Sequence, residues 1–178
     1  MKITKQLSLL LVVLLTAFSC DELDELTEFD ITDDFSTTVT ISADNASEGS
    51  FVNSATINLA TNQQIQDNLD LIQNISLNSL TYEISNFIAG EGAEDAVITE
   101  ASLTLGSTMI SVSNINLKAS DDNNTLYTVE NSSLLNAIAS ALESNTAITA
   151  SVSGTVDSTP VTFDVIINLD VTVTVDVL

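Results

Sequence analysis

The C-terminal segment alternates with a period of two. Val161, Phe163, Val165, Ile167, Leu169, Val171, Val173 and Val175 are apolar. Their neighbours Thr162, Asp164, Asn168, Asp170, Thr172, Thr174 and Asp176 are polar, and only Ile166 breaks the rule. Successive side chains of a strand point to opposite faces, so this run predicts a strand with one buried and one solvated face. At about 3.4 Å per residue it would span ~54 Å, far beyond the usual strand. A bulge or bend near Ile166 to Asn168, or two strands in succession, is therefore expected.

A second alternating run starts near Ile148 and ends on Val152, Gly154 and Val156. The turn-forming cluster Asp157-Ser158-Thr159-Pro160 follows, which predicts a hairpin with the C-terminal strand. Gly106-Ser107 lies between Ala101, Leu103, Leu105 and Ile110, Val112, and glycine at the first turn position fits a type II′ hairpin. The alternation slips from Val112 to Ile115 and Leu117, and again between Leu77 and Leu80, ahead of Tyr82 and Ile84. Such slips predict bulges or strands that change sheets. Earlier strands are expected at residues 37–43 and 51–59.

Two segments carry a helical period instead. Thr61 and Gln64 form a capping-box pattern ahead of Ile65, Leu69 and Ile72. Asn131 or Ser132 can cap a helix whose apolar stripe is Leu134, Leu135, Ile138, Ala141 and Leu142, running through Glu143. The predicted fold class is mainly β: an antiparallel β-sandwich or open barrel over residues 36–178, with two short amphipathic helices covering edges or ends.

Composition narrows the chemistry. The chain has 178 residues, with 25 acidic residues, three basic ones and no histidine, for a net charge of -22, yet 44% of it is hydrophobic. That is too apolar for a disordered acidic tail. It is too anionic for nucleic acid, whose phosphates need clustered Lys and Arg. Without histidine there is no Ser-His-Asp or Cys-His nucleophile and no His-containing zinc site. No glycine-rich phosphate loop accompanies Lys118. With few aromatic residues and no tryptophan, there is no platform on which sugars or bases could stack.

A carboxylate pair is the remaining hydrolytic arrangement, with Glu83, Glu100 and Asp164 as candidates. Nearly every predicted strand carries acids on its polar face, so solvation accounts for them better. Calcium is the one cofactor with a physical case, since it takes oxygen ligands. Its weak candidates are Asp121, Asp122 and Asn123 with Asn124, then Glu91 with Glu94 and Asp95, then Asp33 with Asp34. None has the twelve-residue EF-hand spacing, and Asp and Asn are turn formers in their own right. No cofactor is the expectation.

The N-terminus carries the most specific signal. Lys2 and Lys5 precede an unbroken apolar run over residues 9–15, and Ala17-Phe18-Ser19 leads into Cys20, the only cysteine. The apolar run is too short to cross a bilayer, and a lone cysteine makes no internal disulfide. This layout resembles the signal peptide and lipobox of bacterial lipoproteins. It departs from the usual pattern in having Ala17 where leucine is common and the bulky Phe18 beside it. The resemblance covers the first twenty residues. It implies that residues 1–19 are removed and that Cys20 is diacylated, becomes the first mature residue and holds the protein on a membrane.

Asp21, Glu22, Asp24 and Glu25 follow at once, in a segment (residues 20–35) read as an acidic tether. Acids in this place resemble the export signal of surface-displayed lipoproteins of some Gram-negative bacteria. They imply an outer-membrane protein facing the cell exterior. Three functional readings follow, in descending order. The first is a non-catalytic binding or structural module with an envelope protein as partner. The second is a carrier of a lipid or other apolar ligand in a β-lined cavity. The third is a carboxylate-dependent hydrolase.

Overall fold

The computed structural model describes residues 27–44 and 49–177. Residues 1–19, read above as a signal peptide, Cys20 and the acids Asp21, Glu22, Asp24 and Glu25 lie outside the described residues. Eight strands are formed: β1 Glu28–Ala43, β2 Ser50–Asn58, β3 Ile72–Ala89, β4 Val97–Leu105, β5 Thr108–Asn116, β6 Leu126–Thr128, β7 Ala147–Val156 and β8 Val161–Asp176. Three α-helices join them: α1 Gln63–Asp67, α2 Leu117–Asp122 and α3 Ser132–Asn145.

The strands make two four-stranded sheets, ordered β1-β8-β3-β6 and β2-β7-β4-β5, with every pairing antiparallel. Each strand of the first half pairs with its mirror image in the second: β1 with β8, β2 with β7, β3 with β6, β4 with β5. That is one long hairpin rolled into a double-sheet jelly roll. The expected antiparallel β-sandwich is the observed architecture. One hydrophobic core unites the two inner faces, with Phe51 from one sheet meeting Phe163 from the other edge to face (ring centroids 5.7 Å apart, 87° between planes).

β8 is a single strand of 16 residues whose burial alternates without a fault. The expected break near Ile166 does not occur. β8 is held on both sides, by β1 residue for residue and by β3. The mismatch of so long a pairing is absorbed in β3, whose register shifts between Ile72 and Asn74, Leu77 and Ser79, and Ser85 and Ile88. The slip between Leu77 and Leu80 is the second of these bulges. Ile166 points to the outer face, half-buried opposite Thr38 and Glu83.

The hairpin expected around Asp157-Ser158-Thr159-Pro160 is also corrected. β7 lies in one sheet and β8 in the other, so this connection crosses the sandwich. Asp157 stays with the sheet of β7, donating its N–H to Val97 O of β4 (3.1 Å) and accepting the Val97 N–H on Oδ1 (2.9 Å). Turn residues signal a reversal of the chain, but not the sheet in which it resumes. The Gly106-Ser107 turn joins β4 and β5 as expected, with Gly106 alone of the pair at positive φ (+61°).

The domain starts earlier than residue 36. β1 begins at Glu28, so residues 28–35 belong to the sheet and not to a tether. Ile31 and Phe35 are buried, and Asp33 between them points inward. That aspartate interrupts the apolar period; the amide of Asn62 satisfies it, donating to Oδ2 at 2.7 Å.

The first predicted helix is broken into 3₁₀ turns at Leu59–Thr61 and Leu69–Leu71 around the five-residue α1. Its cap is Asn62 rather than Thr61, accepting the N–H groups of Gln64 and Ile65 at 2.8 and 3.2 Å. Ile65 is buried, Leu69 is exposed and Ile72 already belongs to β3. Asn58, Asn62 and Asn68 punctuate this segment, each at the boundary of a turn. An asparagine side chain competes for backbone bonds and favours such ends. The second predicted helix forms as read: Asn131 caps α3 through Ser133 N and Leu134 N, and Ile138, Ala139 and Leu142 are buried.

α2 was not expected. Leu117 is its first residue and not part of a strand, and Asn116 Oδ1 caps it by accepting from Ala119 N at 2.7 Å. With one apolar residue facing the core at its start, so short a helix has no 3.6-residue period to read. β6 is only three residues long and covers β3 at Thr81, Tyr82 and Glu83. On either side of it the helices close the β3 edge. Glu143 Oε1 of α3 accepts the Ile75 N–H (3.1 Å), and Asp121 Oδ2 of α2 accepts the Phe87 N–H (3.0 Å).

Gly154 marks the closest approach between strands. A Cβ there would collide with Glu100 O and lie 2.8 Å from Ala101 Cα on β4. Gly154→Ala must push two paired backbones apart. The expected cost is about 2 kcal/mol, within the range of overpacking, read as a lower urea midpoint at unchanged slope. A midpoint equal to the parent's would contradict the close approach.

Candidate functional site

The outer face of the β2-β7-β4-β5 sheet is paved with small hydroxyls. Val52, Ser153, Ser102 and Ser111 form one row across the four strands, and Thr155, Glu100 and Ser113 form the next. Because these side chains are short, the middle of the sheet holds an open trough of about 550 Å³. Its polar lining comes from Glu100, Ser102, Ser111, Ser113, Ser153 and Thr155. Opposed side chains on paired strands lie about 5 Å apart, so the hydroxyls are evenly spaced donors and acceptors around one carboxylate. The trough can hydrogen-bond a polar surface. It has no base beside a serine that would make a nucleophile.

The signal for it is in the sequence, as serine at alternate positions of three strands: Ser102, then Ser111 and Ser113, then Ser151 and Ser153. Within each strand they are ordinary positions of the outer face. Only the sheet order brings them side by side.

The three candidate carboxylates are not gathered in one site, although Glu83 and Asp164 lie diagonally on the outer face of the paired strands β3 and β8. Glu100 is on the sheet opposite to the one that holds Glu83 and Asp164. Asp164 is occupied by Thr40 Oγ1 (2.6 Å) and Asn86 Nδ2 (2.8 Å), both donating to it. Glu83 sits on β3 opposite Leu126 and Ile166.

The first group of calcium candidates is likewise engaged residue by residue. Asp121 accepts from the backbone of Phe87, and Asp122 accepts from Lys118 Nζ at 2.6 Å. Asn123 donates its amide to Ala119 O at 2.7 Å. These residues end a helix rather than form a loop. The hydrogen bond and charge of Asp122 hold the Lys118 ammonium above its ordinary pKa, though the pair is exposed to water. Among the described residues no group of three or more acids, cysteines or histidines is placed to hold a metal.

Tyr82 and Tyr127 stack at the short β6 edge, with centroids 5.0 Å apart and rings 11° from parallel. Burial, and then the neighbouring Tyr127, raises the Tyr82 hydroxyl above its usual pKa. Tyr127 Oη and Ser120 Oγ share a hydrogen bond of 2.7 Å, which fastens α2 to β6. This pair acts in packing. An apolar space between the sheets, bounded by Tyr82, Ile84, Leu103, Val152 and Val165, measures about 20 Å³.

The chain enters the sandwich where β8 leaves it, Val177 N–H donating to Thr27 O at 3.2 Å. Exposed apolar side chains, Phe29, Leu71 and Val177, mark the strand and turn termini at this end. Among the described residues, no helix is long and apolar enough to cross a membrane.

No family model matches the chain, and no curated protein does. Solved structures with some likeness include the decameric BFDV capsid protein, 12% identical over 82% of this chain and 98% of that one, with a TM-score of 0.40. Another is Desmodium yellow mottle tymovirus, 13% identical over 84% of each chain, with a TM-score of 0.35. Both scores lie below those of chains with a common fold.

Proposed function

We propose that the chain is a lipid-anchored protein of the cell envelope, displayed on the outer membrane and facing outward, whose sandwich is a non-catalytic binding or structural module. The observation that carries this reading is the N-terminal layout: Lys2 and Lys5, the apolar run, Ala17-Phe18-Ser19 and the single Cys20 followed by acids. The start of β1 at Glu28 supports it, because the stretch from Cys20 to the first strand can span at most about 30 Å. The sandwich is thus held close to its anchor, and the hydroxyl trough is the face offered to a polar partner.

The carrier reading draws less support. An apolar ligand of ordinary size needs a pocket of roughly 300 Å³ or more, whereas the apolar space beside Tyr82, Ile84 and Val165 is about 20 Å³. The hydrolase reading needs two free carboxylates about 5 to 9 Å apart; Glu100 lies across the sandwich from the other two candidates, and of the neighbours Glu83 and Asp164 the latter is already held by Thr40 and Asn86.

Outward display has its own test. With Asp21, Glu22, Asp24 and Glu25 replaced by Ala, the protein should stay lipidated but become protected from protease added to whole cells. Equal digestion of parent and variant would remove these acids from the export role.

A further inference from the structure

We infer that β5 is the docking edge for a second copy of this chain, the two β5 strands pairing antiparallel so that two four-stranded sheets become one. A sheet edge exposes unpaired N–H and C=O groups, and proteins blunt such edges with charge, proline, shortness or a cover. Three of the four edges here are managed in those ways. β1 carries Glu28, Asp30, Asp33 and Asp34. β2 is closed by β1, where Asn53 Nδ2 reaches Thr40 O at 2.7 Å. β6 is three residues long.

β5 differs from all of them. It runs from Thr108 to Asn116 with no charge and no proline, is extended over Thr108–Ser113 before Asn114 (φ +57°) bends it, and among the described residues no strand pairs with its outer side. Its inward-facing Ile110 and Val112 pack against the core but stay half-buried, and its outward-facing Met109 is exposed. A chain with a net charge of -22 repels its own copy nearly everywhere else.

The register follows from the turn. A two-residue turn makes Leu105 and Thr108 a hydrogen-bonded pair, so bonding to β4 recurs at Ile110 and Val112. Met109, Ser111 and Ser113 therefore point their N–H and C=O groups away from β4. A two-fold axis at Ser111 then pairs Ser111 with Ser111 of the second copy and Met109 with Ser113. Ile110 comes against Val112 on the inner face, where both are half-buried. No charge meets charge, and one patch serves both copies, as two-fold symmetry requires.

The test uses the full chain in its native membranes or in mild detergent. Paired residues on antiparallel strands are about 5.5 Å apart at Cα, within disulfide reach. On oxidation, Ser111→Cys should give a covalent dimer as the main product. Thr104→Cys, on the same face but one strand inside the edge, should give none, and the parent, with Cys20 alone, should give none. By sedimentation the parent should have the mass of two chains and Ser111→Pro that of one. Proline at this position removes an outward N–H and leaves the β4 ladder whole, so the variant should unfold as cooperatively as the parent. If Ser111→Pro fails to fold, the cysteine result decides. A parent mass of one chain, a Ser111→Cys protein that stays single, or a Ser111→Cys adduct with a different protein would each overturn the proposal.

Discussion

Cys20→Ala is expected to move the protein from the membrane pellet to the soluble fraction. The expected size of the effect follows from the anchor. Each buried CH₂ contributes about 0.8 kcal/mol, so each long acyl chain contributes on the order of 10 kcal/mol, and two chains together hold a protein stably. Among the described residues nothing replaces that energy. The apolar side chains at the anchor end, Phe29, Leu71 and Val177, are few and only partly exposed. The acids around them, Glu28, Asp30 and Asp70, would repel an anionic bilayer. Fractionation with metabolic labelling by a fatty-acid analogue checks this outcome. The parent should carry label in the pellet, and the variant should be unlabelled in the supernatant. Equal labelling of the two would place the anchor elsewhere.

Phe163→Ala is expected to lower folding stability by about 4 kcal/mol, within the range for buried aromatic truncations. Phe163 is 1% exposed and lies on β8, the strand with a neighbour on each side, and its ring makes the edge contact with Phe51 across the sandwich. The substitution removes apolar area, opens a cavity and ends an aromatic pair that joins the two sheets. For a domain of this size a loss of that order shifts the urea midpoint by about 2 M. Phe163→Leu, which keeps most of the volume, should lose less than half as much. A change below about 0.5 M for Phe163→Ala would mean that the two sheets do not depend on this contact.

The strands were legible where one face is purely apolar. β8 could be read residue by residue because all its odd positions from Val161 to Val175 are apolar and buried. β1 was legible only from its middle, since an inward Asp33 hides the period that Ile31 and Phe35 begin. The partner that makes Asp33 tolerable, Asn62, is 29 residues away and cannot be found from local pattern. The slip between Leu77 and Leu80 announced one of the three β3 bulges, because an added residue changes the phase of everything after it; those at residues 72–74 and 85–88 were not read. The crossing from β7 to β8 was not legible. Asp157-Ser158-Thr159-Pro160 reverses the chain equally well inside one sheet or between two. α2 was hidden for a different reason: its cap, Asn116, is a clear signal, but a helix of six residues has no stripe to confirm it. The hydroxyl trough belongs to the sheet order alone. Each of its strands shows ordinary serines, and only the pairing of β4 with β5 and β7 gathers them around Glu100.

The intact mass of the protein extracted from membranes, with its N-terminal fragment sequenced, tests the central claim most directly. The account predicts a chain that starts at Cys20, with a diacylglyceryl group on Sγ and a sandwich beginning a few residues later. A mature chain that starts at any other residue, or a Cys20 with a free thiol, would contradict it.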